Sequence, residues 1–243
     1  LGTDDIFIYK FDADKGLLTP NKPKSARVTA GEGPRHLAFH PNGKFAYVNT
    51  EMGLNVVAFS VERNGGLKQL QSLPTLPAGA DIKGVSTAEI FVRPDGKTLY
   101  VSNRGHDSIA VYSIGQDGKL ALLQHVLGTP ATPRGFGLSA DGRWLVCAGQ
   151  KSGTLNAYRI EADGRLTDTR QAVAAPAALA LGPPLQPAQP SVTRGDSSVT
   201  VSFDLRPGVS LSDALARVEE ATRAATSSPS RAPATTSRRI AAR

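Results

Sequence analysis

Charged side chains recur where short apolar runs of this sequence begin or end. Glu51 follows one such run, and Arg104 follows the next comparable run. Pro-Arg pairs precede two others, at Arg35 and at Arg134. A carboxylate can accept a proton, and an arginine guanidinium can hold an anion through paired hydrogen bonds. If the fold brings these run ends together, they form a site for a small anionic substrate.

Other catalytic patterns are missing from the sequence. It contains no glycine-rich phosphate loop, no Gly-x-Ser-x-Gly motif and no Cys-x-x-Cys motif. His36 and His40 are close in sequence, but in an extended strand they would lie about 13 Å apart on one face, too far to share a metal ion. The sequence therefore predicts no metal site.

A repeat predicts how the charged residues are positioned. Three stretches, from Pro41, Pro94 and Ala140, align with one another, and a stretch from Thr3 matches only the second half of the unit. Each unit has four short strands and turns in which Asn-Gly or Asp-Gly supplies positive φ angles. The period of about 50 residues is typical of a β-propeller, whereas the strands of a β-sandwich do not recur as one four-part unit. We predict an all-β fold.

The repeat also predicts where the charged residues meet. Equivalent positions of neighbouring blades lie around the same rim of a propeller. Glu51 and Arg104 are equivalent, and Gln150 occupies the same place in the third unit. Arg35 and Arg134 are equivalent in the same way. We expect all five to converge on one rim, although ordinary salt bridges between blades would give the same pattern.

The repeat count predicts an incomplete ring. Residues 1–169 supply about 3.5 four-stranded blades, whereas propellers close with four to eight. Unpaired blade edges promote association with another chain. We therefore expect either a part of a longer propeller or self-association through these edges. The first residues lack an initiator Met and a signal-peptide pattern. A cytoplasmic location is the expectation, and a periplasmic one stays open.

The composition changes after residue 169. We predict an Ala/Pro-rich linker at 170–197, a strand and a helix at 198–225, and a disordered basic tail at 226–243. Residues 198–221 resemble a strand–helix piece of the porter domain of resistance–nodulation–division efflux pumps. That resemblance implies no transport, because no apolar run reaches the ~18 residues that a membrane span needs.

Charge and cysteine content limit the function classes further. The 243 residues carry a net charge of +7. The basic residues of the repeat region are dispersed and accompany no nucleic-acid-binding motif. We predict a small anionic partner, with neither nucleic acid nor membrane involved. Cys147 is the single cysteine and lies in an apolar run, which favours a buried, inert thiol.

Several separated motifs carry a family resemblance. GPRHLAFHPNGKFAYV, then Glu51, STAEIFVRPDGKTLYVSNRG, PRGF and AGQKSG together resemble the lactonase family of seven-bladed β-propellers. Family membership implies a hydrolase of the pentose phosphate pathway that opens a sugar-acid lactone, 6-phosphoglucono-1,5-lactone, to 6-phosphogluconate. A cycloisomerase of carboxymuconate type and a non-catalytic propeller that binds a partner are the alternatives.

The resemblance also assigns roles to residues. Opening a lactone with water requires a base that activates the water and a donor that stabilises the oxyanion. Glu51 would be the base, one arginine would stabilise the oxyanion, and others would hold a phosphate. No cofactor is needed. The predicted catalytic residues are Arg35, Glu51 and Arg104, and the predicted substrate-binding residues are His36, Arg134 and Gln150.

Overall fold

The computed structural model describes residues 2–174 and 198–199. Every helix or strand within these residues is a β-strand, in agreement with the all-β prediction. The predicted linker beyond residue 174, the predicted helix and the predicted tail lie outside the described residues. The strands are β1 (Asp5–Asp12), β2 (Leu17–Arg27), β3 (Pro34–Phe39), β4 (Phe45–Thr50), β5 (Asn55–Val61), β6 (Leu67–Pro74), β7 (Ser86–Val92), β8 (Thr98–Arg104), β9 (Ser108–Ile114), β10 (Leu120–Leu127), β11 (Pro133–Leu138), β12 (Trp144–Gly149), β13 (Thr154–Ile160), β14 (Leu166–Ala174) and β15 (Ser198–Val199).

The strands form sheets that follow the repeat. Strands β3–β6, β7–β10 and β11–β14 make three four-stranded antiparallel sheets, each in chain order. The half unit at the start supplies β1 and β2, and β15 joins them in the order β15-β1-β2. The partial propeller of four-stranded blades is thereby confirmed. Strand β14 continues to Ala174 because a bulge near Ala157 lets Gln171–Ala174 pair again with β13.

The predicted turns form, with separate roles for their two residues. Gly43 and Gly96 adopt positive φ angles of 69° and 73°, a region in which side chains are strained. The residue before each glycine does not share this conformation. Instead, a side-chain oxygen of Asn42 accepts a hydrogen bond from the N–H of Lys44 at 2.9 Å. Asp95 does the same two residues on, so Asn and Asp favour these turns by closing them.

The hydrophobic core is divided among the contacts between successive sheets. Val56 and Ala58 of β5 face the next sheet, whereas Val57 and Phe59 face the preceding one. All four are buried, because a sheet in the middle of the stack has a neighbour on each side. Cys147 is fully buried at the contact with the third four-stranded sheet, and burial raises the pKa of its thiol to about 12. The predicted burial of the thiol is confirmed.

Hydrogen bonds of one pattern join each complete sheet to the next. A fully buried tyrosine donates its hydroxyl proton to a turn carbonyl of the following sheet, and a second side chain donates to the carbonyl of another turn. A glutamine exchanges two hydrogen bonds with a backbone leucine. We call these the sheet-to-sheet hydrogen bonds. They are Tyr47 to Gly118, His40 to Gly96 and Gln71 with Leu120 at the first contact, and Tyr100 to Gly164, Arg93 to Gly142 and Gln124 with Leu166 at the second.

The first strands of the sheets form an inner edge. Strand β3 contacts β7, and β7 contacts β11. Each of these strands has a bulge opposite the end of its partner strand. The extra residue is Arg35 in β3 and Arg134 in β11, and in β7 the bulge falls at Ala88 and Glu89. Because bulges change the direction of side chains, the three bulges make the inner edge a candidate functional site.

Candidate active site

Arg35, Glu51 and Arg104 form one ion-pair cluster. Arg35 donates to one Glu51 oxygen at 3.0 Å, and Arg104 donates to the other in a short hydrogen bond. Arg35 and Glu51 belong to the β3–β6 sheet, whereas Arg104 ends β8 in the next sheet. All three side chains are largely buried, with 5%, 15% and 13% of their surface exposed. The structure therefore brings the three predicted catalytic residues together across a sheet boundary.

The electrostatics of Glu51 favour the ionised carboxylate. Burial alone raises the pKa of this carboxyl, but the charge of Arg35 and the hydrogen bond from Arg104 outweigh burial and lower the pKa below its ordinary value of 4.5. A carboxylate with both oxygens bound to arginines is a weak base. Glu51 as the general base stays a prediction, and the geometry favours a role in orienting the two guanidinium groups.

The β7 bulge receives three side chains from neighbouring strands. Arg104 donates to the carbonyl of Thr87 at 3.3 Å. Arg35 donates through Nε to the carbonyl of Ala88 at 3.1 Å. The third contact joins the imidazole ring of His36 on β3 to the carboxylate of Glu89 on β7, with Nδ1 at 2.7 Å from Oε1. Thr87 and the two bulge residues that follow it thus position the site.

Glu89 is a site residue that sequence reasoning missed. Its side chain is only 8% exposed, and the ring of His36 is 23% exposed. The repeat contained a usable signal, because Glu89 occupies the position in its unit that His36 occupies in the preceding unit. The predicted substrate-binding residue His36 therefore lies beside the arginine cluster with a buried carboxylate behind it.

Asn49 is a second missed residue. It is fully buried at the end of β4. Its side-chain oxygen accepts from the backbone N–H of His36 at 3.1 Å. Its amide nitrogen donates to the hydroxyl of Thr87 at 2.8 Å and to the carbonyl of Ala88 at 3.2 Å. Asn49 therefore ties the β3 bulge to the β7 bulge, and the sequence offered no pattern that could reveal this.

Arg134 and Gln150 form a more open pair in the third four-stranded sheet. Arg134 lies at the β11 bulge, as Arg35 lies at the β3 bulge. Arg134 and Gln150 are both exposed. The guanidinium donates to the Gln150 side-chain oxygen at 3.5 Å, the long limit of a hydrogen bond. Strand β11 lies beside β7, so this pair occupies the same edge as the arginine cluster.

Two kinds of feature are absent from the described part of the chain. Residues 2–174 and 198–199 contain no cluster of three or more His, Cys, Asp and Glu side chains that could hold a metal ion. The same residues contain no helix of the length and apolar character that a membrane crossing requires. The chemistry available at the inner edge is anion binding by arginine together with proton transfer by histidine or a carboxylate.

Comparison with known proteins identifies the family to which the chain belongs. A family model described as "Lactonase, 7-bladed beta-propeller" matches residues 1–182. The chain belongs to this lactonase family. It is similar to 6-phosphogluconolactonase of Yersinia pestis, with 37% identity over 175 residues, covering 70% of this chain and 51% of that protein. The same enzyme of Serratia proteamaculans is 36% identical over 170 residues, covering 69% of this chain and 50% of that protein.

Solved structures agree with the family assignment. The structure of a periplasmic gluconolactonase of Pseudomonas aeruginosa superposes with a TM-score of 0.67 at 31% identity, covering 72% of this chain and 49% of that one. The chain spans about half the length of the lactonase relatives that it matches. The family resemblance carried by the sequence motifs is confirmed.

Proposed function

We propose that this chain is the part of a lactonase that uses water to open the ring ester of an anionic sugar-acid lactone. The observation that carries the proposal is the buried cluster of Arg35, Glu51 and Arg104 at the inner edge of the sheets. The names of the relatives support the reaction class, since they are 6-phosphogluconolactonases and a gluconolactonase.

The arginine cluster matches the electrostatic demand of ester opening. Attack of water on the lactone carbonyl places a negative charge on the carbonyl oxygen, and a fixed guanidinium group close to that oxygen stabilises the charge. Arg104 and Arg35 meet this demand without reorganising, because Glu51 holds both of them. The more open Arg134–Gln150 pair is suited to the far end of the substrate, where a phosphate or hydroxyl group would lie.

The substrate that we propose first is 6-phosphoglucono-1,5-lactone. The net charge of +7 and the arginines of the inner edge favour a phosphorylated ligand. The Yersinia and Serratia relatives carry that activity in their names. The Pseudomonas relative is a gluconolactonase named as periplasmic, which makes unphosphorylated glucono-1,5-lactone the alternative. A phosphorylated substrate favours the predicted cytoplasmic location.

A direct assay tests the proposal. Acid release from each lactone is followed with a pH indicator, and the spontaneous rate is subtracted. We expect turnover above the spontaneous rate and a loss of about 100-fold in kcat/KM for Arg35→Ala. The matched control is Arg143→Ala, which removes a guanidinium whose side chain is 73% exposed. Turnover of neither lactone would contradict the proposal and favour a partner-binding propeller.

A further inference from the structure

The contact between His36 and Glu89 leaves one ring nitrogen of His36 able to accept a proton. Glu89 Oε1 lies 2.7 Å from His36 Nδ1 and also accepts a hydrogen bond from the N–H of Ile90 at 3.1 Å. An oxygen that accepts from a backbone N–H serves as an acceptor for the ring as well, so Nδ1 carries the proton and donates it. In that tautomer Nε2 bears a lone pair on the other side of the ring.

The other histidines with described hydrogen bonds differ from His36. His40 lies at the opposite end of β3, and its Nε2 donates to the carbonyl of Gly96. His106 contacts the hydroxyl of Ser108, a fully buried residue. The ring of His36 is partly exposed at the inner edge and follows Arg35 directly in the chain. A ring oriented by a carboxylate, next to a fixed cation, has the arrangement of a general base.

We propose that His36 is the general base that activates water for lactone opening and that Glu89 is its positioning residue. The inference rests on the proposed lactonase function and deepens it. It assigns the base to the histidine rather than to Glu51, whose two oxygens are both occupied by arginines. A carboxylate behind the ring fixes its tautomer and stabilises the imidazolium that forms during the reaction.

Water opens the lactone ring in two stages. Nε2 of His36 takes a proton from water while the water oxygen forms a bond to the lactone carbonyl carbon. The carbonyl π pair moves to oxygen, and an arginine of the cluster stabilises that oxyanion. The oxyanion then restores the carbonyl, the ring C–O bond breaks, and the departing oxygen takes the proton from Nε2. One water is consumed, and the product is the open hydroxy acid.

Charged side chains of two sheets surround the ring of His36. Glu89 faces the ring from β7, Arg35 adjoins it on β3, and Glu51 and Arg104 stand at the ends of the neighbouring strands. A negative neighbour stabilises the imidazolium, and positive neighbours oppose it. The Glu89→Gln exchange keeps the side-chain shape and removes the charge. We expect it to reduce kcat, because the neutral amide no longer stabilises the imidazolium that forms during the reaction.

The kinetic experiment compares three variants of the full chain. His36→Ala should lose about 100-fold to 10,000-fold in kcat, the range of a general base, and added imidazole should restore part of the rate. Glu89→Gln should lower kcat with little change in KM, because it acts on the histidine rather than on the substrate. His40→Gln changes a histidine that directly follows the same strand, donates to the carbonyl of Gly96 and accepts from the N–H of Asn42, and this variant should keep its rate. Circular dichroism melting checks that each variant folds.

A second measurement does not depend on turnover. Nitrogen-15 NMR of the labelled chain reports which ring nitrogen of His36 is protonated, with His36→Ala identifying the signals. We expect a proton on Nδ1 at neutral pH in the wild type and a smaller excess of that tautomer in Glu89→Gln. A proton on Nε2, or an unchanged tautomer ratio in Glu89→Gln, would overturn the positioning role of Glu89.

The outcomes separate the inference from the proposed function. If the wild type turns over a lactone and His36→Ala stays within about threefold, the histidine is not the base and the lactonase proposal stands. If the wild type turns over neither lactone, the proposed function fails, and the assignment of a base fails with it even if the tautomer is as expected. Loss in His36→Ala without imidazole rescue would overturn proton transfer at Nε2.

Discussion

The inner edge contains two contacts that share one scaffold and differ in chemistry. The first contact joins β3 to β7, and the second joins β7 to β11. Both contacts have the same three sheet-to-sheet hydrogen bonds, including the buried tyrosines Tyr47 and Tyr100. The first contact adds the arginine cluster and the His36–Glu89 pair. At the second, the positions of Arg35 and His36 are taken by Ala88 and Glu89, and Gly135 occupies the equivalent place on β11.

The difference separates residues that build the propeller from residues that serve the site. A hydrogen bond that recurs at both contacts is explained by sheet stacking. A buried charge that occurs at one contact needs another reason, because burying charge is costly even when it is paired. We therefore expect substitutions of the repeated bonds to change stability at both contacts alike, and substitutions of the charged residues that occur only at the first contact to change activity.

The largest effect should follow loss of the Glu51 carboxylate. Glu51→Ala removes the acceptor shared by two largely buried arginines and should lower the free energy of unfolding by about 3–5 kcal/mol. Gln150→Ala changes the equivalent, exposed position of the third four-stranded sheet and should lower it by less than about 0.5 kcal/mol. Urea unfolding measures both. Equal losses would show that the two contacts are not different.

The ion pair should also make stability depend on pH. Glu51 has a lowered pKa in the folded chain, so its contribution is complete above the ordinary value of 4.5 and is lost as the pH falls through the lowered folded value. The stability difference between wild type and Glu51→Gln should therefore shrink between about pH 7 and about pH 3. Urea midpoints at both pH values test this. A difference that grows on acidification would contradict the ion-pair assignment.

Asn49 should have the next largest effect. Asn49→Ala leaves the N–H of His36 without its side-chain acceptor and the hydroxyl of Thr87 without its donor, inside a buried region. We expect a loss of about 1–3 kcal/mol and a fall in kcat, because the two bulges are no longer tied together. Stability and kinetics are measured on the same preparation. A stable variant with normal kcat would show that the bulges hold their geometry without it.

The repeated tyrosines should give the smallest and most even effect. Tyr47→Phe and Tyr100→Phe each remove one hydroxyl that donates to a turn carbonyl of the next sheet. Each should cost about 1 kcal/mol, and each should leave kcat unchanged. Thermal melting and the lactone assay check both. A large activity loss in Tyr47→Phe alone would place that residue in the site and weaken the distinction between scaffold and chemistry.

Much of the fold could be predicted because its signals are local. The Asn-Gly and Asp-Gly turns and the alternation of apolar residues identify the strands, and their repetition identifies the blades. The meeting of Arg35, Glu51 and Arg104 also followed from the repeat, since equivalent strand ends share an edge. Asn49 was missed because the β3 and β7 bulges, which create its contacts, leave no pattern in the sequence. Glu89 was missed although it occupies the position of His36 in the next unit.

The site also shows why residue roles are harder to predict than residue positions. Glu51 was predicted as a base from its type and place. That assignment depends on what surrounds the carboxylate, and two arginines occupy both of its oxygens. The histidine beside it has a carboxylate on one nitrogen, an arrangement that requires a contact between two sheets. Such contacts depend on the packing of distant residues rather than on neighbouring sequence.

The proposed function assigns lactone hydrolysis to the first contact. The most direct measurement compares Arg104→Ala with Gln150→Ala, at equivalent strand ends of adjacent sheets, using 6-phosphoglucono-1,5-lactone. We predict that Arg104→Ala loses about 100-fold in kcat/KM, mainly through kcat, whereas Gln150→Ala raises KM by less than about tenfold with kcat unchanged. Similar kcat values for both variants and the wild type would contradict the claim.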